Sequence, residues 1–441
     1  MKALTLLAAL AAFATHSLAE AVKDREGAVR QDKAARENDV RWGYNDLTRA
    51  FAEAKRTGKP LLVVLRCVPC LSCAGIDASV LTEPELAPLL DQFVCVRVIN
   101  ANALDLSLFQ FDYDLSFSAL IFNGDRTLYG RFGSWTHQKN QHDKSSAGFK
   151  RALEAALEIH RGYPANKPSL AGKQSPPIAY QTPVNIPTLD GKYQMELDWN
   201  GKVVPSCVHC HQIGDALRLV HRNKNEPVPG DLIYPMPAPE TIGLTLAQDG
   251  IAKVEAVARN SAAARAGIQP GDNLVSLAGQ TLISIADVSW VLHRAPESGK
   301  IPVVVERGGK AKAFALTLAL PDGWRSRSDI SRRVGTWGLR GMATGGMVLE
   351  DLPDEMRAQR GLKKDGLALL VKSVGQYGRH AAAKKAGFQK DDVIVRLADL
   401  SGRLTEGELL GVLLQQHRAG EELPATVLRG EQRVELKLPM Q

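Results

Sequence analysis

Long apolar runs are scarce in this chain of 441 residues. Beyond residue 20 no stretch approaches the roughly 20 apolar residues that a bilayer-spanning helix needs, which excludes a polytopic membrane protein. Aromatic residues make up only 6%, and the net charge of +7 is dispersed among acids, as in "EAVKDREGAVRQDKAAREND". No basic stripe with stacking aromatics results, so nucleic acid is excluded as a partner. Six cysteines are too few to staple a chain of this size, so local clusters carry their meaning. A G-x-S-x-G element is missing, and no other glycine-framed serine reads as a nucleophile, which rejects a serine protease. What remains is a globular balance of 44% hydrophobic and 23% charged residues, long enough for three or four modules.

The first residues, "MKALTLLAALAAFATHSLAEA", have the form of a signal peptide at 1–19. Lys2 is its positive end, Ala3 to Ala14 its short apolar core, and Ser17-Leu18-Ala19 its small-residue cleavage site. An uncleaved anchor is the rival reading, but the core is shorter than a span. The mature chain is therefore expected to be exported, to the periplasm or cell envelope, without a transmembrane segment. Disulfides persist there and c-type haem is attached there. Residues 20–40 are charged and expected to be mobile or loosely helical.

Periodicity sets the order of elements. "YNDLTRAFAEAKRTGKP" spaces Leu47, Phe51 and Ala54 as a helix that stops at Gly58-Lys59-Pro60. "LLVVLR" predicts a buried strand, "EPELAPLLDQ" a helix, and "FVCVRVI" a strand with Cys95 in its core. "ALIFNGDRTLYGRFG" predicts two strands joined at Asn123-Gly124-Asp125, and "SSAGFKRALEAALEIHR" an amphipathic helix. Strand, helix, strand, hairpin, helix is the order of a thioredoxin-like fold, assigned to 41–161. Residues 162–190 lose both periods and hold Pro164, Pro168, Pro176, Pro177, Pro183 and Pro187, which predicts a stiff extended linker. A segment at 191–239 follows, with a short helix at 211–222.

The last two hundred residues contain a repeat. "SAAARAGIQPGDNLVSLAGQ" (261–280) matches "HAAAKKAGFQKDDVIVRLADLSG" (380–402) in order and hydrophobic pattern. An apolar strand precedes each copy, and a helix and a closing strand pair follow it. Two similar domains, at 240–321 and 335–441, account for this better than a solenoid, which needs more copies.

Two cysteine clusters carry the chemistry. "LRCVPCLSCAG" (65–75) holds Cys67, Cys70 and Cys73 as overlapping C-x-x-C motifs. Cys67 falls at the strand's end, whereas Cys70 and Cys73 fall at the start of the expected helix. Backbone N–H groups and the helix dipole favour a thiolate there. This assigns Cys70 as attacking thiolate, Cys73 as resolving thiol and Cys67 as an accessory thiol, with Arg66 near enough to lower a thiol pKa. For Cys67 an alternative disulfide with Cys70, a spectator role and a metal site lacking its fourth ligand all stay open; for the cluster, a static disulfide does. The second cluster, "CVHCH", is the attachment signature of one c-type haem on Cys207 and Cys210, with His211 as proximal ligand. Met236 in "YPMPAPE" or His221 would be the distal ligand, and His209 would point away. A disulfide turn and a partial zinc site with His209, His211 or His221 are the alternatives.

Residues 42–135, running through "AEAKRTGKPLLV" into the cysteine motif, resemble exported members of the thioredoxin-like superfamily. The whole layout resembles a bacterial family of exported thioredoxin-like/PDZ proteins, some of which carry selenocysteine in this motif. That resemblance implies a reactive Cys70. Two departures stand against it: the buried carboxylate expected near Val64 is absent, and no proline occurs at Ser116 or Phe117. Both C-terminal copies resemble PDZ domains of the HtrA type, which implies capture of protein C-termini or extended peptides along a sheet edge. The implied carboxylate loops are Thr241, Ile242, Gly243 and Leu244 in the first copy, and Gly345, Gly346, Met347 and Val348 in the second. The expected fold class is multidomain α/β plus β-rich: a thioredoxin-like domain, a small C-x-x-C-H segment and two PDZ domains. The expected function is thiol–disulfide redox or electron transfer, with peptide binding by the PDZ domains and a redox partner the sequence does not name. A catalytically silent envelope scaffold or sensor is the alternative.

Overall fold

The computed structural model describes residues 24–66, 81, 83–115, 117–134, 146–308, 313–331 and 333–441. The signal peptide expected at 1–19, the thiols Cys67, Cys70 and Cys73, and Ser116 lie outside the described residues. The chain divides into two compact units. The first comprises Met1–Cys210, Gly243–Arg294 and Lys300–Ala319; the second comprises His211–Ile242, Ala295–Gly299 and Leu320–Gln441.

In the first unit, the charged segment forms helix α1 (Arg25–Arg36), whose first turn is capped by Asp24. It is a packed element rather than a mobile one. Val29 is buried, and Glu26 accepts the N–H groups of Val203 and Val204 at 3.0 and 2.9 Å. Strand β1 (Trp42–Tyr44), helix α2 (Leu47–Thr57) and strands β2 (Leu61–Arg66), β3 (Val94–Val98), β4 (Phe117–Phe122) and β5 (Leu128–Ser134) follow. The sheet order is β1-β3-β2-β4-β5, with β2 parallel to β3 and antiparallel to β4. Every residue of β2 is buried because both its faces are covered. Leu62 and Val64 meet Phe149 and Leu153 of helix α3 (Ser146–Gly162), while Leu61, Val63 and Leu65 meet Phe51 and Ala54 of α2. Helix α2 stops at Gly58, whose left-handed φ of 69° suits a residue without Cβ.

The proline-rich stretch is not an extended spacer. It contains a 3-10 turn, Lys167–Lys173, whose Leu170 and Lys173 are fully buried. The sequence pattern misleads here because the ammonium of Lys173 is neutralised by Asp287, a partner 114 residues away. Helices α4 (Val203–Ser206) and α5 (Cys210–Asn223) come next.

The first repeat forms β6 (Leu244–Leu246), β7 (Val254–Val257), α6 (Ala262–Arg265), β8 (Asn273–Leu277), β9 (Gln280–Thr281), α7 (Ile285–Arg294), β10 (Gly299–Glu306) and β11 (Ala313–Leu320). Its strands make a β6–β7 pair and a sheet of order β11-β10-β8-β9. Helix α7 is set against β5: Asp287 accepts the N–H of Arg131 at 3.1 Å, and Trp290 donates to the carbonyl of Gly172 at 2.9 Å. Gly130 on β5 permits this approach, since a Cβ there would fall 2.4 Å from Ile283 Cδ1.

The second unit is built on α8 (Thr336–Ala343), β12 (Met347–Asp351), β13 (Leu369–Val374), α9 (Ala382–Lys385), β14 (Val393–Leu397), α10 (Glu406–Gln416), β15 (Glu422–Arg429) and β16 (Gln432–Pro439). Its five strands run in sequence order, each antiparallel to its neighbour. Leu409, Leu410, Leu413 and Leu414 of α10 fill the core with Leu369 and Val371 of β13. Val228, Ile233 and Tyr234 join the same core, and the Tyr234 hydroxyl donates to the Gly407 carbonyl at 2.8 Å.

The two repeats share one buried lock. In the first, Asp272 accepts from Gln269 N–H and from Arg307 Nε and Nη2, while Arg307 also donates to the Gly267 carbonyl. In the second, Asp392 takes the same bonds from Gln389 and Arg429, and Arg429 reaches the Gly387 carbonyl. The residue before each aspartate has positive φ: 89° at Gly271 and 71° at Asp391. An aspartate tolerates that left-handed turn better than most side chains, which is how the second copy dispenses with glycine.

Candidate functional site

Strand β2 ends at Arg66, and the next residue in the chain is Cys67. The Arg66 guanidinium is buried and donates to Asp32 Oδ1 of α1 at 2.8 Å, while Asp32 Oδ2 accepts the Tyr44 hydroxyl at 3.0 Å. Burial, and then the carboxylate of Asp32, push the Tyr44 hydroxyl above its ordinary range. One strand over, Arg97 is buried beneath Trp42, 4.5 Å from the ring centroid. Burial pushes its guanidinium down to about 10, and the nearby charge of Arg66 adds to the effect. The carboxyl ends of β2 and β3 thus bury two guanidinium groups, Arg66 paired with Asp32 and Arg97 packed against Trp42.

Beside Arg66 lies a small pocket open to solvent. Val29, Ile99, Leu197, Val203 and Val208 give it an apolar wall, into which Arg66, Cys207, His209 and Cys210 also project. The stretch bearing the two cysteines is pinned by Asn102, a fully buried side chain. Its Oδ1 accepts Val208 N–H at 2.7 Å; its Nδ2 donates to the carbonyls of Gln194 and Ser206 at 2.7 and 2.8 Å. Val208 is fully buried between the cysteines. Cys207 and Cys210 are both thiols. Burial pushes the Cys207 thiol up to about 11, against the opposing N–H of Ala101, and its sulfur lies 3.6 Å from the Ile99 carbonyl. Cys210 opens helix α5 and leans on the cluster that includes Phe109 and Tyr113. Burial, with a smaller contribution from Cys210, pushes the Tyr113 hydroxyl up.

These placements bear on the haem expectation. The imidazole lining the cavity with the two thiols is that of His209, whereas His211 is not among the lining residues. Met236 is buried, and its carbonyl accepts from Arg333 at 3.1 Å. Among the described residues, no group of three His, Cys, Asp or Glu side chains is close enough to hold a metal ion. A haem requires both sulfurs and the adjacent imidazole of His211 on one slot, and the imidazole beside the two sulfurs in this arrangement is that of His209.

The two stretches expected to form carboxylate loops differ. Thr241, Ile242, Gly243 and Leu244 cross the division between the units. Gly243 has φ 86°, and a Cβ there would sit 2.1 Å from Ser261 Cβ. Strand β6 pairs only with β7 among the described residues, leaving its other edge without a strand. In the second copy Gly345 and Gly346 have φ 59° and 86°, but Gly346 N–H donates to the Arg340 carbonyl and Met347 N–H to that of Thr344, while Val348 lies within β12. On β12, Leu349 N–H donates to Glu406 Oε1 at 2.8 Å, and Arg340 clamps Glu406 through Nε and Nη2 at 2.9 and 2.6 Å.

Periodicity and spacing pointed to Cys207, Cys210 and Arg66. They did not point to Asp32, Asn102 or Asp287, each of which gains its role from a partner distant in sequence. Isolated polar residues within otherwise unremarkable stretches were the only signal.

Residues 42–124 match the thioredoxin-like family, and residues 253–307 match the PDZ domain. The chain thus contains a thioredoxin-like domain and a PDZ domain. Over 147 residues it is 30% identical to a probable periplasmic serine endoprotease DegP-like protein of Pseudomonas savastanoi pv. phaseolicola (strain 1448A / Race 6), a match covering 33% of this chain and 29% of that relative. The chain therefore spans under a third of that relative's length. Two solved structures of the HtrA-type protease AlgW with decapeptide are each 18% identical, cover 32% and 31% of this chain and 40% of theirs, and have a TM-score of 0.20. A TM-score that low carries no structural argument.

Proposed function

We propose that this chain is an exported thiol–disulfide redox protein that uses its PDZ domain to hold a partner's peptide close to the sulfur chemistry. Cys70 is the attacking thiolate and Cys73 the resolving thiol, in the motif that leaves strand β2 directly after Arg66. The observation that carries the reading is Arg66, a buried guanidinium held by Asp32 at the end of β2, one residue before that motif in the chain. Tethering through the PDZ domain would raise a partner's local concentration without new contacts at the sulfurs.

Residues 335–441 extend the reading to a second PDZ domain, supported by the Asp392–Arg429 lock that repeats Asp272–Arg307 bond for bond. Peptide capture falls to the first copy, at Gly243 and the open edge of β6. In the second copy Glu406 already takes the strand N–H of Leu349 that a peptide would use.

A c-type haem on Cys207, Cys210 and His211 is the second reading, favoured by the C-x-x-C-H spacing itself. Bound there, it would supply one-electron transfer. Export from a host with haem-attachment machinery decides it: a Soret band and a covalent mass gain support it, and a colourless chain of unmodified mass removes it. The redox reading is tested by measuring the thiol pKa and reduction potential of the Cys70–Cys73 pair. An unreactive Cys70 with a very negative potential would leave a silent envelope scaffold instead.

A further inference from the structure

We infer that Cys207 and Cys210 form a second redox-active dithiol, which closes to a disulfide inside the cavity at the carboxyl ends of β2 and β3. The inference rests on the thiol–disulfide reading above and names an internal partner for it.

Both thiols face one cavity, three residues apart in a C-x-x-C stretch. That spacing lets a bend bring two Cα atoms within the roughly 4.4–6.8 Å that a disulfide requires. Apolar packing alone would not need the device that holds the stretch. Asn102, fully buried, spends both ends of its amide fixing Gln194, Ser206 and Val208. The result is a sulfur pair in the same pocket as Arg66, the last residue of β2, and Ile99, the residue after β3. Arg66 lies in the same wall, and the chain passes from it straight into Cys67.

The two sulfurs have unequal surroundings, as an exchanging pair needs. Cys210 is the first residue of a helix of 14 residues, where backbone N–H groups stabilise a thiolate. Cys207 is enclosed by Ile99, Val203 and Leu197 and stays protonated until it is called on. In the oxidising direction the Cys210 thiolate attacks one sulfur of an incoming disulfide, breaking that S–S bond and expelling a thiolate. Cys207 then gives up its proton and attacks the Cys210 sulfur of the mixed disulfide, expelling the second thiolate. Cys207 and Cys210 end as a disulfide with two electrons fewer; the incoming disulfide ends as two thiols, which take up the two protons. The oxidant is a disulfide, either a small one from solution or that of the chain's own motif at 67–73.

The test equilibrates the full exported chain in buffers of reduced and oxidised dithiothreitol, quenches with acid, alkylates and reads the peptides by mass spectrometry. The expected result is that the peptide holding Cys207 and Cys210 changes from two alkyl adducts to none, at one midpoint and with two-electron steepness. Persistence of both adducts in fully oxidised buffer, or a covalent haem on this peptide, overturns the inference. A Cys70→Ser/Cys73→Ser variant separates the two proposals. If residues 67–73 prove inert while Cys207 and Cys210 still titrate, the dithiol stands and the wider redox reading fails. If the first motif titrates and this pair does not, the dithiol fails alone. Slower oxidation of the pair in that variant identifies the chain's own motif as the source; an unchanged rate identifies a disulfide from solution.

Discussion

Asp287→Asn removes one charge from the buried clasp between the first PDZ copy and the proline-rich stretch, and its cost is computable from the surroundings. The carboxylate accepts from Lys173 Nζ at 2.5 Å, Ile283 N–H at 3.0 Å and Arg131 N–H at 3.1 Å. Both side chains of the ion pair are shut off from solvent. Asparagine keeps the shape but leaves an ammonium buried near the Arg131 guanidinium, which stacks 3.7 Å from the centre of the Trp290 ring. Removing one partner of a buried pair costs about 3–5 kcal/mol, so the urea midpoint of the first unit should fall by about a molar or more. Lys173 can relieve part of this by releasing its proton. Burial already holds its pKa below the ordinary lysine value, opposed by Asp287, and the variant loses that opposition. A base whose folded pKa lies below its unfolded value of about 10.4 gains stability as pH rises between the two. The deficit of the variant should therefore shrink from pH 7 toward pH 10. Pairing it with Lys173→Met should recover most of the loss, because the two sites are one interaction. Urea titration combined with hydrogen exchange of residues 285–294 reads all three effects. A single-variant loss under about 1 kcal/mol, or a double variant costing the sum of the singles, would refute the argument from buried charge.

Four further outcomes are expected. Arg307→Ala and Arg429→Ala should shift the unfolding midpoints of their own copies to a similar extent; a large loss in one and none in the other would break the equivalence of the two locks. The Asp272 carboxyl is held below the usual carboxylate range by Arg307, so its contribution is complete above about pH 4 and lost on acidification through its lower folded value. Asn102→Ala orphans buried groups at about 1–3 kcal/mol each, and the alkylation rate of Cys207 should rise at least about tenfold, the factor that 1.4 kcal/mol represents. His380 lies against Trp337, rings 4.6 Å apart and nearly parallel, and burial followed by the charge of Arg379 lowers its pKa. The unfolded chain then takes the proton first, so the second unit should lose stability as pH falls below about 6.5. A melting series of His380→Phe that keeps the same slope would show that another group is responsible.

Much of the architecture was legible because it is written in short-range pattern. The continuous apolar run "LLVVLR" became the central buried strand, and the 3.6 period of "SSAGFKRALEAALEIHR" became helix α3 against it. Cys95 is buried in β3 as its run of β-branched neighbours implied, and burial pushes its thiol up to about 12. The stretches that misled were those whose ordering comes from polar partners. Arg25–Arg36 shows one buried apolar residue, yet Glu26 and Asp32 tie it down. The proline-rich stretch reads as a spacer until Lys173 finds Asp287.

The amino-acid order by itself determined most of the described helices and strands, since these depend on period and turn residues along the chain. Only the tertiary structure decided that Cys207 and Cys210 share a pocket with Arg66 and Ile99, that Asn102 holds them there, and that Glu406 occupies a strand N–H in the second repeat. The reason is range: a helix or strand is selected by neighbours a few residues away, whereas a buried charge or amide is tolerated only where a partner from a remote part of the chain meets it.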